Sequence, residues 1–145
     1  MTKDVIVNIK GSHFLEGEDK GPIEALMPGS YFKKEDSHYI FFEEYMEGLD
    51  EPLKTRIVIK NETVELTRSG SLKLRMYFDK SMESETDYDT PFGKINIKIN
   101  TSSVDFKESE EELRCEIEYS LDFNDSPGSK SNMMIVLKPK GSVSL

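Results

Sequence analysis

Apolar and polar residues alternate with a period of two along most of this chain, and no other feature restricts the fold as much. Successive side chains of an extended strand point to opposite faces. Val5, Val7 and Ile9 share one face, with Asp4, Asn8 and Lys10 opposite. Ile57 and Ile59 lead into Asn61-Glu62, and Val64 and Leu66 follow, which reads as a β-hairpin. Beyond Ser69-Gly70-Ser71 come Leu72, Leu74, Met76 and Phe78, then Ile95, Ile97 and Ile99, then Leu113, Cys115, Ile117, Tyr119 and Leu121. Parallel strands, covered on both faces, read as continuous apolar runs; clean alternation marks antiparallel sheet with one solvated face.

Turn formers recur at Gly11-Ser12, Pro28-Gly29, Lys60 to Glu62, Ser69 to Ser71, Pro91 to Gly93, Glu108 to Glu112 and Ser126 to Ser129. The spacing predicts about eight to ten short strands, as in an up-and-down barrel or a sandwich. One segment is ambiguous. Phe41, Phe42, Tyr45, Met46 and Leu49 fall at helical spacing, whereas aromatic Tyr39 to Phe42 favours strand; the residues alone leave both open, and their neighbours tip the reading to strand. Glu16 to Gly21 reads as a loop. Nothing resembling a linker or repeat divides residues 1–145, so a single domain is expected.

Charge and cysteine content narrow the function. The formal charge is −9, from 28 acidic and 19 basic residues, which disfavours nucleic acid and anionic membrane surfaces as partners. Cys115 is the one cysteine, which excludes an intrachain disulfide and a disulfide-stapled secreted scaffold. Met1 to Val5 lacks the pattern of a signal peptide, and the apolar runs Tyr39 to Phe42 and Met133 to Leu137 are far below the ~18 residues of a membrane helix. The expected location is the cytoplasm, so the Asn-x-Ser/Thr matches at Asn61, Asn100 and Asn124 read as chance.

Arg68-Ser69-Gly70, Met76-Tyr77-Phe78 and Tyr88-Asp89-Thr90-Pro91-Phe92-Gly93 together resemble the YwiB-like family of uncharacterised bacterial proteins. Thr2 to Ile9 and Ile117 to Leu121 are similar to the corresponding parts of that family, so the likeness spans nearly the whole chain. That family is a domain of unknown function placed among the calycin-like β-barrels. The resemblance implies a lipocalin-type barrel and makes Tyr39 to Met46 a strand. It implies no activity; small apolar ligands in calycin-like barrels are an analogy of fold.

Arg68 shares parity with Val64 and Leu66 and so points inward near one barrel end. An internal guanidinium must be paired. It either awaits a ligand carboxylate or phosphate, or pairs with an internal acid and ties down Ser69-Gly70. Tyr88 can offer its hydroxyl beside Arg68 at the barrel mouth, although Thr90 to Gly93 also suits a plain type I turn. These two residues are the candidate ligand site. No catalytic residue, metal site or cofactor is expected: His13 and His38 lack metal-ligand spacing, and no P-loop, nucleophile elbow or dinucleotide fingerprint occurs. Cys115 alternates inward and reads as an inert core thiol. The acidic stretches Glu83 to Asp89 and Glu108 to Glu112 lack the order of a calcium loop.

The sequence therefore reads as an all-β, small antiparallel barrel with no enzymatic role. It takes either a small apolar or anionic ligand inside, or a protein partner on an apolar patch using Phe92 or Met133 to Val136. The rival reading is a hydrolase or isomerase at the barrel mouth, built from Arg68, Tyr88 and a carboxylate. The inward set is nearly all large, which favours a filled interior at eight strands and leaves room at more.

Overall fold

Wherever apolar and polar residues alternate, the backbone is extended. The computed structural model describes residues 3–12, 22–45, 50–90 and 93–142. Its strands are β1 (Asp4–Ser12), β2 (Pro22–Lys34), β3 (Ser37–Glu44), β4 (Leu53–Lys60), β5 (Thr63–Ser69), β6 (Leu74–Asp79), β7 (Ser84–Thr90), β8 (Gly93–Glu108), β9 (Leu113–Phe123) and β10 (Ser126–Pro139), followed by a short 3-10 turn at Lys140–Ser142. His13, Met46, Leu49, Pro91, Phe92 and the Glu16 to Gly21 stretch lie outside the described residues.

All neighbouring strands are antiparallel, in the order β6-β5-β4-β3-β2-β1-β10-β9-β8-β7. Apart from β6 and β7, strands that follow one another in sequence pair with each other, and β1 pairs with β10 to bring the two halves together. Between β6 and β7 there is no ladder. An isolated bridge at Lys73 and Asp89 and a hydrogen bond from Ser84 Oγ to the Tyr77 carbonyl hold that seam. The result is a nearly closed, up-and-down barrel of ten strands.

The interior is filled from every strand. Val5, Val7, Ile40, Ile57, Ile59, Val64, Leu66, Met76, Phe78, Ile97, Ile99, Cys115, Ile117, Tyr119 and Leu121 are all buried in one core. Apolar burial of this kind, at about 25 cal/mol per Å², supplies the main stabilising term of the fold. Two short turns use left-handed residues suited to the task. Asn61 closes β4–β5 at φ 55°, and Asn124 and Asp125 close β9–β10 at 48° and 65°. The glycines of the two motifs also have a backbone reason: Gly70 and Gly93 sit at φ 141° and 122°, which a side chain rarely permits.

Several expected turns are strand instead. Pro28-Gly29 runs inside β2, where Gly29 permits close packing: a Cβ there would lie 2.8 Å from both the Phe41 carbonyl oxygen and Val7 Cγ2. Pro28 is tolerated because the β2–β3 ladder starts only at Gly29. Gly11-Ser12 likewise continues β1, with Gly11 pressed against the Asn132 carbonyl. Ser126 to Ser129 belongs to β10, whose register shifts between Pro127 and Lys130; the turn is at Asn124-Asp125. The ambiguous aromatic segment is strand through Glu44; Tyr45 follows the strand, and the expected end at Met46 lies outside the described residues.

Candidate ligand-binding site

Arg68 pairs with Thr55 on β4 and with Leu74 on β6, and cross-strand partners share a face, so its side chain is directed inward. What meets it there is an acid of this chain. Arg68 Nε donates to Glu44 Oε1 at 2.9 Å and Nη2 donates to Oε2 at 3.4 Å. The side chains of Arg68 and Glu44 are only 13% and 16% exposed. Thr55, itself buried, donates its hydroxyl to Glu44 Oε1 at 2.6 Å and fixes the carboxylate from β4. Of the two readings of Arg68, the internal acid is the one the structure displays, and that acid is Glu44.

Tyr119 on β9 faces the same interior. It is 1% exposed, and its ring lies edge-on to Phe78 with centroids 5.0 Å apart. Its hydroxyl is buried without a hydrogen-bond partner among the described residues. Burial pushes the phenol up to about 12, while the nearby charge of Arg68 pulls the other way. At neutral pH Tyr119 is therefore a proton holder and hydrogen-bond donor, not a base. Its cross-strand neighbours are Thr101 on β8 and Ser131 on β10. Thr101 Oγ1 is also buried without a partner, and Ser131 is buried. The other partnerless buried atoms, Asn8 Oδ1 and Thr67 Oγ1, have outward parity.

A row of hydroxyls from β8, β9 and β10 thus shares the interior with an ion pair from β3 and β5. The arrangement is rich in donors. A guanidinium carries five N–H groups, and Glu44 engages two of them. Close by, β2 and β3 part company. The ladder between them covers Gly29 to Lys34, and a groove of about 560 Å³ opens at the end of it. Its lining runs from the exposed Leu26, Phe41 and Tyr45 to the inward-facing Phe42 and Thr55.

Tyr88 is buried in the core on β7, opposite Ile95. Among the described residues no hydrogen bond links it to Arg68, whose polar partner is Glu44 and whose charge acts on the Tyr119 hydroxyl. Sequence reasoning had Tyr119 only as a core aromatic and passed over Glu44, Thr55, Thr101 and Ser131. Glu44 carried a usable signal, since as strand it shares parity with Ile40 and Phe42.

A second polar cluster occupies the opposite barrel end. Tyr31 and the 4% exposed His38 are hydrogen-bonded, Oη to Nδ1, at 2.8 Å, and the His38 ring packs on Phe106. Lys33 Nζ reaches Glu108 at 3.3 Å, and His38 Nε2 lies 3.9 Å from the same carboxylate. Burial lowers the His38 pKa, Glu108 opposes this and Lys33 adds to it. On the outer surface Phe32 stacks with Tyr39 and Phe41. Of the expected outer patch, Met133 and Ile135 are instead core residues, because β10 alternates like the other strands; Met134 and Val136 face out, half-buried. Among the described residues no three His, Cys, Asp or Glu side chains gather as a metal site.

Comparison with known proteins matches this architecture. The family model described as Domain of unknown function (DUF1934) matches residues 7–135. The chain is 28% identical over 114 residues to the uncharacterised β-barrel protein YwiB of Bacillus subtilis (strain 168), covering 78% of each chain. The crystal structure of ywiB protein from Bacillus subtilis is similar with a TM-score of 0.78 at 22% identity, covering 94% of this chain and 92% of that one.

Proposed function

We propose a binding role for this chain, which belongs to the family described as Domain of unknown function (DUF1934): its barrel holds a small molecule among the inward side chains. One observation carries the reading. The Tyr119 hydroxyl is buried with no partner among the described residues and feels the charge of Arg68, and an unmet buried hydroxyl costs about 1–3 kcal/mol. A ligand acceptor placed there removes that penalty and engages Thr101 at the same time. The groove between β2 and β3, which reaches the inward-facing Phe42 and Thr55, supports a lateral route to it, and small ligands inside calycin-like barrels are the analogy of fold behind the reading.

The raised phenol pKa of Tyr119 supports binding over acid–base chemistry, which works best with groups poised near the working pH. The charge of −9 supports a small ligand over nucleic acid or a membrane surface, and the lone buried thiol fits a reducing, cytoplasmic setting. A second reading, a protein partner, draws on the exposed outer stack of Phe32 and Phe41.

Native mass spectrometry of protein purified gently from its own host tests the internal reading. The expected result is an extra small-molecule mass that denaturation releases and that Tyr119→Phe loses. A bare chain mass for both proteins would overturn it.

A further inference from the structure

We infer that Glu44 sets the charge of the ligand: the site selects an uncharged, hydrogen-bond-accepting head group on an apolar body, and rejects carboxylates and phosphates. This rests on the internal-binding reading above. An arginine inside a barrel invites the opposite conclusion, that it is there for an anion. Here that place is taken. Glu44 engages Arg68 through both carboxylate oxygens, and the hydroxyl of Thr55 pins one of those oxygens from the next strand. Backbone pairing of Glu44 with Leu53 fixes the carboxylate's origin as well.

An anion arriving at Arg68 has two options, both unfavourable. It can displace Glu44 and strand a carboxylate in the interior, or it can sit beside that carboxylate and be repelled. A neutral acceptor displaces nothing. It meets the Tyr119 and Thr101 hydroxyls, both buried donors without a partner among the described residues, within reach of the charge of Arg68. The apolar body follows from the walls, since Met27, Phe42 and Leu26 line the adjoining groove. Specificity of this kind comes from a built-in repulsion as much as from attraction.

Titration calorimetry at pH 7 with decanamide and decanoate reads this directly, because the two share a chain and differ in head-group charge. Wild type is expected to bind decanamide at least tenfold tighter than decanoate. Glu44→Gln keeps the shape and the Thr55 contact but frees the charge of Arg68, so decanoate should gain at least tenfold and the order should reverse. The double variant Glu44→Gln/Arg68→Met carries neither charge and should bind decanamide with no gain for decanoate, which keeps the comparison alive should Glu44→Gln fold poorly. Decanoate binding to wild type as tightly as decanamide would overturn the role of Glu44 and leave internal binding standing. No heat from either probe, with wild type and variants all folded, would overturn the internal-binding reading and this inference with it.

Discussion

Replacing Tyr119 by phenylalanine removes one oxygen from the most buried polar position of the barrel, and the structure gives the sign of the result. The ring stays, so its edge contact with Phe78 at 5.0 Å is kept and no large void opens. What disappears is a buried hydroxyl without a partner among the described residues, worth about 1–3 kcal/mol in desolvation. The ligand-free protein should therefore become more stable by about 1–3 kcal/mol. With about 2.1 cal/mol/K of unfolding entropy per residue, 145 residues give about 300 cal/mol/K, or about 3 °C for each kcal/mol. Scanning calorimetry on ligand-free protein should show Tm rising by about 3–10 °C. The same variant sharpens the alkaline limb. Tyr119 has a folded pKa raised to about 12 against about 10 unfolded, so its contribution is fully present below pH 10 and is lost as pH rises through 12. That interval corresponds to about 3 kcal/mol, and Tyr119→Phe should remove this part of the decline. A fall in Tm on making the substitution would refute the reasoning, because it would mean that the hydroxyl already has a partner, such as a buried water.

Other substitutions test the neighbouring groups. Arg68→Met strands Glu44 in a mostly buried setting and should cost about 3 kcal/mol by urea unfolding, whereas Arg68→Met/Glu44→Leu should recover most of it; equal losses would show that the pair is not coupled. Cys115, fully buried with its thiol pushed up to about 12, should react with a disulfide reagent at pH 8 only as fast as the barrel opens, and prompt labelling of native protein would contradict its placement. His38 has a folded pKa held below its ordinary value by burial, so stability is full above about pH 6.5 and falls as pH drops below that; His38→Gln should flatten this acid limb, and an unchanged limb would assign it to other groups.

The strands were legible because each presents one face to the core and one to water, which writes alternation into Leu113 to Leu121 or Ile57 to Leu66 with little ambiguity. Turn chemistry was less reliable. Pro28-Gly29 has the residues of a turn, but Gly29 is there because Phe41 and Val7 crowd its α-carbon from two neighbouring strands. Such crowding is a property of three strands together and leaves no local mark. The true β9–β10 turn was visible as Asn124-Asp125, a pair tolerant of left-handed backbone, and was masked by the more conspicuous Ser-Pro-Gly-Ser that follows. For the site, parity alone turned Arg68 inward. Its partner was hidden because Glu43 and Glu44 suit a helix as well as a strand end, and only the strand assignment sends the second of them inside. That Tyr119 lacks a partner depends on every group around it, so no stretch of sequence could announce it.

The pairing of β1 with β10 also has a kinetic meaning. Nearly every other rung of the barrel joins strands that follow one another in the chain, so most of the sheet can assemble from hairpins of low sequence separation. The rungs from Val5 with Pro139 to Gly11 with Met133 join residues about 130 positions apart. Closing a loop of that length costs about 4 kcal/mol of chain entropy, with no return until the ladder forms. Two partial sheets, each a run of hairpins, should therefore wait on this one contact, and until it is made both expose an open edge to any other chain nearby.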